Sequence, residues 1–359
     1  MTTVILLQEH TTRDQLSDVV DRLSDVDKSP NVHSDTLVST SASAAAARDA
    51  VGALPQVVHV QGLTADYPKA ALGARHGMSK VRLGSSVIGG NGFTVIAGPC
   101  SVETPDQMMR TSMAVRASGA HALRGGVFKP RTSPYAFQGL GRDGLSLALE
   151  AREATGLPFV TEIMDLRDLP LLAESVDMLQ VGARNMQNYS LLREIGSTRV
   201  PVLLKRGLAA TIDETLMAAE YLLDGGNEQV VLCERGIRTF ESSYRFTLDV
   251  AALTVLRERT HLPVIVDPSH AAGASGRVIP LALAAAACGA DGIIVESHCD
   301  PSVAKCDGAQ ALPVEQLPDL MRRLRFAVAS ADRRLVLNSP APQRQAAVLY
   351  GQEVTQKAS

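Results

Sequence analysis

The chain has 359 residues, a formal net charge of −3, 45% apolar residues, 4% aromatic residues and no Trp. That is enough chain for one large domain with a small one attached, and enough apolar material for a sizeable core. Near-neutral charge without a long basic run excludes a general nucleic-acid binder, no apolar run reaches the ~18 residues of a membrane span, and the five scattered cysteines do not make a disulfide framework. The N-terminus, "MTTVILLQEH", has no basic segment ahead of its short apolar run, which reads against a signal peptide. Reduced thiols and no leader point to the cytoplasm.

In chain order, "TVILLQ" (3–8) predicts a strand. Thr12 and Gln15 form a capping box ahead of Leu16, Val19, Val20 and Leu23, which recur at helical spacing. "NVHSDTLVST" (31–40) holds one or two weak strands, "SASAAAARDAV" (41–51) a helix and "QVVHVQG" (56–62) a strand. The order β-α-(β-β)-α-β predicts a ferredoxin-like domain over 1–65. Residues 66–92 read as a linker and a hairpin. Eight apolar β-rich runs then alternate with helical stretches: 93–98, 121–126, 158–164, 178–183, 201–207, 229–236, 263–269 and 292–298. Between the first two, Thr104 caps a helix with Pro105 at its first position. Eight βα units predict a (β/α)8 TIM barrel over 93–335. The competing architecture is an open doubly wound sheet, which would gather ligand groups at one switch point. Here nearly every strand ends in a charged or reactive residue: Cys100, Arg124, Glu162, Arg184, Lys205, Arg235, His270 and Glu296. The polar stretch 336–359 reads as a flexible tail or a docking segment.

Arg124, Lys129, Arg131, Arg184, Lys205, Arg206, Arg235 and Arg238 all fall at or just after strand ends. In a barrel they converge on one mouth, where like charges repel unless anions neutralise them. Few strand-end carboxylates match them, so the implied ligand is polyanionic and carries phosphate. Cys100, His270, Glu296 and Asp307 combine thiolate, imidazole and carboxylate donors, a set suited to a divalent cation. His298 shares a strand face with Glu296 and is a second candidate ligand.

Together "IAGPCSVE" (96–103), "LRGGVFKPRTSPYAFQGLG" (123–141), "TEIMD" (161–165), "LQVGARNMQNY" (179–189), "LLKRG" (203–207), "CERGIRTF" (233–240), "VDPSH" (266–270), "DGIIVESH" (291–298) and "DGAQAL" (307–312) resemble the type I beta 3-deoxy-7-phosphoheptulonate (DAHP) synthase family. The resemblance covers about 93 to 330 and, more weakly, the family's regulatory domain. It implies condensation of phosphoenolpyruvate with erythrose 4-phosphate at the entry to the shikimate pathway. By position, Arg184 and Arg235 hold the phosphoenolpyruvate phosphate, and Arg124 and Lys205 its carboxylate. Lys129 lies between the substrates, and Arg131 and Thr132 bind the aldose phosphate, with Ser133 and Gln138 as helpers. A divalent metal, Mn²⁺ or similar, sits on Cys100, His270, Glu296 and Asp307, with Glu162 and Asp267 as candidate catalytic helpers. An aromatic amino acid effector and a homo-oligomer, dimer or tetramer, are further implied. Ser297 and Cys306 depart from the family pattern, which leaves a specialised secondary-metabolism paralogue open. The alternatives are a 3-deoxy-octulosonate 8-phosphate synthase, against which the Arg131-Thr132 pair speaks, and a non-catalytic regulatory partner.

Overall fold

Residues 2–338 are described in a computed structural model. The chain opens with β1 (Thr3–Leu7), α1 (Arg13–Ser24), β2 (Asn31–Ser34), β3 (Leu37–Thr40), α2 (Ala44–Val51) and β4 (Val57–Gly62). The strands form an antiparallel sheet in the order β2-β3-β1-β4, the ferredoxin-like arrangement. Thr12 and Gln15 satisfy each other's backbone N–H groups at the start of α1, a cap worth about 1 kcal/mol. Val19 and Leu23 of α1 and Ala47 and Val51 of α2 bury themselves on Ile5, Leu7, Val38 and Val60, a core of their own. The sequence signal for β2 is weak for a physical reason. It is an edge strand with largely exposed side chains, so no apolar alternation is imposed on it.

A short hairpin follows, β5 (Val81–Leu83) and β6 (Ser86–Ile88). Then the βα rhythm begins: β7 (Thr94–Gly98), α3 (Pro105–Ala117), β8 (Ala122–Arg124), α4 (Arg142–Thr155), β9 (Phe159–Ile163), α5 (Leu169–Ser175), β10 (Met178–Val181), α6 (Tyr189–Gly196), β11 (Val202–Lys205) and α7 (Ile212–Asp224). It continues with β12 (Val230–Glu234), α8 (Val250–Arg259), β13 (Val264–Val266), the extra turn α9 (Pro268–Ala272), α10 (Ser275–Ala287), β14 (Gly292–His298), a two-residue strand β15 (Leu312–Pro313) and α11 (Leu317–Ala329). Strands β7 to β14 are all parallel, and the ladder closes because β14 pairs with both β13 and β7. A closed ladder has no switch point, so the open-sheet alternative is overturned.

Alternation along these strands builds the site. Ile96, Ala122, Val160, Met178, Leu203, Val231, Ile265 and Ile294, one per strand, fill the barrel interior and pack on Val81, Leu83 and Ile88 of the hairpin, which plugs the foot. Side chains two residues further on share the same inward face. Those positions hold Gly98, Arg124, Glu162, Gln180, Lys205, Cys233, Asp267 and Glu296. An apolar layer thus supports a polar layer at the C-terminal mouth, where barrels of this kind place their ligand groups. Gly98 (φ +150°) is obligatory there, because a Cβ would collide with the Arg124 carbonyl.

The stretch read as a linker is packed rather than free. Tyr67, Ala70 and Ala71 are buried, and the amides of Lys69 and Ala70 donate to Glu220 of α7 at 2.9 and 2.8 Å. The Thr260 hydroxyl, just past α8, donates to the Ala70 carbonyl. At the other end, the tail read over 336–359 lies outside the described residues from 339 onward. Residues 336–338 are tied to the barrel foot: His121 bonds the Val336 carbonyl at 2.6 Å, and Asn338 donates to the Gly119 and Ala120 carbonyls.

Candidate active site

A cavity of about 320 Å³ opens at the C-terminal mouth. Its walls carry Arg124, Lys129, Arg131, Thr132, Ser133, Glu162, Arg184, Lys205, Arg235, His270 and Asp307. These residues come from the ends or following loops of seven different strands. Pairing in sequence order around a closed barrel is what brings positions 124 and 307 to one cavity. Cys100, Asp267 and Glu296 lie immediately behind this wall, each almost wholly buried.

The Cys100 sulfur, a Glu296 oxygen and an Asp307 oxygen all lie within 4.8 Å of one another. Cys100 Sγ donates to Asp307 Oδ2 at 3.4 Å. His270 Nε2 faces the same two carboxylates, 3.5 Å from Glu296 Oε1 and 3.8 Å from Asp307 Oδ2, while its Nδ1 meets Asp267 Oδ2 at 2.7 Å. That bond assigns the proton to Nδ1 and leaves Nε2 as a lone-pair donor. Burial pushes the His270 imidazole down, so it is neutral near pH 7 despite the Asp267 and Glu296 carboxylates. For Glu296, burial alone would raise the carboxyl, but the His270 and Arg124 side chains outweigh it and bring it to about 2. Asp307 adopts a left-handed conformation (φ 49°), a strained position for a residue with a Cβ. Gln310 donates to Glu296 Oε2 at 2.6 Å and so fixes the carboxylate from the far side. One thiol, two carboxylates and one neutral imidazole are a donor set that fits a divalent transition metal.

The cations divide into two groups. Arg124 is paired with Glu296 at 3.1 Å, Lys205 with Asp267, and Arg206 with Glu234 and Asp249 at 2.9 Å each. Strand-end carboxylates therefore neutralise more of the positive charge than the sequence suggests. Arg206 also donates to the Ala210 carbonyl and is a structural tie, and Arg238 is exposed outside the cavity wall. The second group is Lys129, Arg131, Arg184 and Arg235. None of the four has a carboxylate within ion-pair distance among the described residues. Lys129 Nζ donates to the Cys100 carbonyl at 3.1 Å, and Arg131 reaches the Cys306 sulfur. Burial works against the Lys129 ammonium, but the Cys100 sulfur and the Glu162 carboxylate outweigh it and hold its pKa above the usual lysine value. Arg124 keeps a buried Nε without a partner.

His298 does not join the cluster. Its Nδ1 accepts from the Asp300 amide at 2.9 Å and its Nε2 faces Glu103 at 3.8 Å, so it braces the loop after β14. Gln138 lies off the cavity wall. Its amide donates to the Ser133, Pro134 and Ala136 carbonyls and holds the Lys129–Gly139 loop in shape. Asp267 accepts from Lys205 and His270 Nδ1 through Oδ2 and from the His270 backbone amide, the α9 cap, through Oδ1, which occupies both its oxygens. Several cavity residues escaped the sequence reading. Gln180 carried a signal, a polar residue inside the apolar run "MLQV". Gly182 is required by the Glu162 carboxylate, which would strike a Cβ there. Arg245 and Phe246 come from the long loop after β12 and had none.

The fold and site define a (β/α)8 enzyme-like barrel whose mouth joins a group of thiol and carboxylate donors fit for a metal ion to cations that lack carboxylate partners among the described residues and suit phosphorylated ligands. The sequence profile described as the DAHP synthetase I family matches residues 72–326, and the chain belongs to that family. Phospho-2-dehydro-3-deoxyheptonate aldolase of Thermotoga maritima is 50% identical over 245 residues, 68% of this chain and 72% of that protein. The crystal structure under that name, DAHP synthase from the same organism, has a TM-score of 0.75 at 38% identity, covering 93% of this chain and 99% of that one. The 2-dehydro-3-deoxyphosphooctonate aldolase of Syntrophobacter fumaroxidans is more distant, 31% identical over 255 residues, 66% of this chain and 88% of that protein.

Proposed function

We propose that this chain is a 3-deoxy-7-phosphoheptulonate synthase, an aldol-type transferase that condenses phosphoenolpyruvate with erythrose 4-phosphate and releases phosphate. The observation that carries this reading is the set of four buried or cavity-facing cations that have no carboxylate partner among the described residues, beside the Cys100–Glu296–Asp307 cluster. Two phosphates and a carboxylate are the charges such a mouth lacks. The 50% identity to the Thermotoga aldolase, against 31% for the octulosonate relative, favours the four-carbon aldose.

Arg184 and Arg235 bind the phosphoenolpyruvate phosphate, and Arg124 and Lys205 orient its carboxylate; the unpartnered Arg124 Nε supports this division. Arg131 and Thr132 grip the aldose phosphate. Lys129 sits between the two groups, protonated, with its ammonium available to donate a proton from Nζ. Glu162, on the cavity wall, is placed to hold a substrate hydroxyl or a water. Cys100, His270, Glu296 and Asp307 would hold a divalent cation, Mn²⁺ or similar, which when bound supplies Lewis-acid polarisation of the aldehyde oxygen. The deciding assay measures phosphate release from phosphoenolpyruvate with erythrose 4-phosphate, with arabinose 5-phosphate and with neither. Release with arabinose 5-phosphate alone would replace this reading by the octulosonate one, and release with neither aldose would remove both.

The small N-terminal domain supplies none of the cavity residues. A cleft of about 650 Å³ separates it from the barrel foot, lined by His33, Thr36, Lys69, Arg75 and His261 among others. This separation from the cavity supports a regulatory role for residues 1–65; we further propose an aromatic amino acid as the effector and a cytoplasmic homo-oligomer as the working form. Tyrosine and phenylalanine should lower the rate of the full chain. Insensitivity to both would make the domain an assembly element.

A further inference from the structure

Arg235 is only 5% exposed, yet among the described residues its guanidinium makes one hydrogen bond, a 3.4 Å contact from Nη1 to the Gly236 carbonyl. What holds its guanidinium is an aromatic face: the Phe246 ring centroid lies 4.2 Å from the guanidinium carbon. That ring is itself fixed from two sides. The Phe246 amide donates to the Ala271 carbonyl, next to His270, at 3.1 Å. Its neighbour Thr247 exchanges both backbone bonds with Ile237 at 2.9 and 3.0 Å. Gly236 (φ +88°) admits the ring, because a Cβ there would lie 2.8 Å from Phe246 Cβ. A guanidinium stacked on a ring keeps its N–H edges free in the plane, where they can meet two oxygens of a phosphate at once.

We propose that Phe246 is a positioning residue for phosphate recognition, its ring face holding Arg235 in the plane from which the guanidinium meets the phosphate of phosphoenolpyruvate. The inference rests on the reading of Arg235 as a phosphoenolpyruvate ligand. A packing role is the alternative, since Phe246 also borders an apolar groove with Tyr244, Leu248, Pro280 and Leu281. Leucine satisfies packing but offers no π face, whereas tyrosine keeps both.

The test compares wild type, F246L, F246Y and R235A in the full-length, metal-loaded enzyme, with KM for each substrate, kcat, and calorimetric binding of phosphoenolpyruvate alone. F246L should weaken phosphoenolpyruvate binding and raise its KM roughly 5- to 10-fold, between the worth of an exposed and of a desolvated cation–π contact. The erythrose 4-phosphate KM should stay within about twofold, because that phosphate meets a different arginine, and F246Y should keep the tight phosphoenolpyruvate binding. Equal values for F246L and F246Y, or equal losses for both substrates, overturn the inference. Unchanged phosphoenolpyruvate binding in R235A would instead overturn the assignment of Arg235. If F246L does not fold by circular dichroism, F246M makes the same comparison.

Discussion

Asp267→Asn isolates the buried support of the site. The Asp267 carboxylate is fully buried and holds Lys205 on one side and His270 Nδ1 on the other. Burial alone would raise its pKa, but His270, Lys205 and Arg124 outweigh that and keep it well below the usual aspartate range. Asparagine preserves the shape and one acceptor but removes the charge. The Lys205 ammonium, 4% exposed, is then left buried without a counter-ion. Breaking a buried pair in this way costs about 3–5 kcal/mol, and the retained acceptor places this case near the lower end. A loss of about 3 kcal/mol lowers the Tm of a domain of this size by roughly 6–12 °C. The imidazole also loses the partner that fixes its tautomer, which lowers metal affinity about 10- to 100-fold. Differential scanning calorimetry reads the first effect and Mn²⁺ titration by calorimetry the second. Wild-type values for both would refute the view that Asp267 works through Lys205 and His270.

Chelation should abolish activity and Mn²⁺ restore it, while Cys100→Ala should bind Mn²⁺ far more weakly in direct titration; full activity of a verified metal-free sample would remove the metal from the scheme. Arg131→Ala should raise the KM for erythrose 4-phosphate about 10- to 100-fold and Arg184→Ala that for phosphoenolpyruvate, each by the loss of one charge-assisted contact. Equal effects on both substrates would mean that the two phosphate pockets are wrongly divided. Glu220, which accepts the Lys69 and Ala70 amides, has its pKa raised from 4.5 to about 7 by burial. The folded state therefore takes up a proton the unfolded chain releases, and the stability this contributes is complete below about 4.5 and lost as pH rises through 7. Glu220→Gln should shrink the drop in Tm between pH 6 and pH 8, and an unchanged drop would show that this carboxyl does not titrate in that window.

Much of the site was legible because alternation and strand ends are local properties. The apolar β-rich runs from 93 to 298 alternate with helical stretches, and the reactive residue at or just past nearly every run's end is visible without coordinates. The Thr12–Gln15 capping box and the Thr104–Pro105 helix start are equally local, since their hydrogen bonds span three residues. Which carboxylate meets which cation is not local. Arg124 and Glu296 are 172 residues apart, and only closure of β14 onto β7 brings them together. Contacts across the barrel decided that Arg124, Lys205 and Arg206 are paired while, among the described residues, Lys129, Arg131, Arg184 and Arg235 are not. The tertiary arrangement also turned His298 toward Glu103 rather than toward Cys100, Glu296 and Asp307, and docked the stretch around Tyr67 onto the barrel through Glu220. Phe246 lies in a loop with no periodicity to read, and its place over Arg235 comes from backbone bonds to residues 237 and 271. The elements and the chemical inventory at the mouth follow from the order of residues, because those depend on neighbours along the chain. The tertiary structure alone decided the pairing of charges, because that depends on neighbours across the barrel.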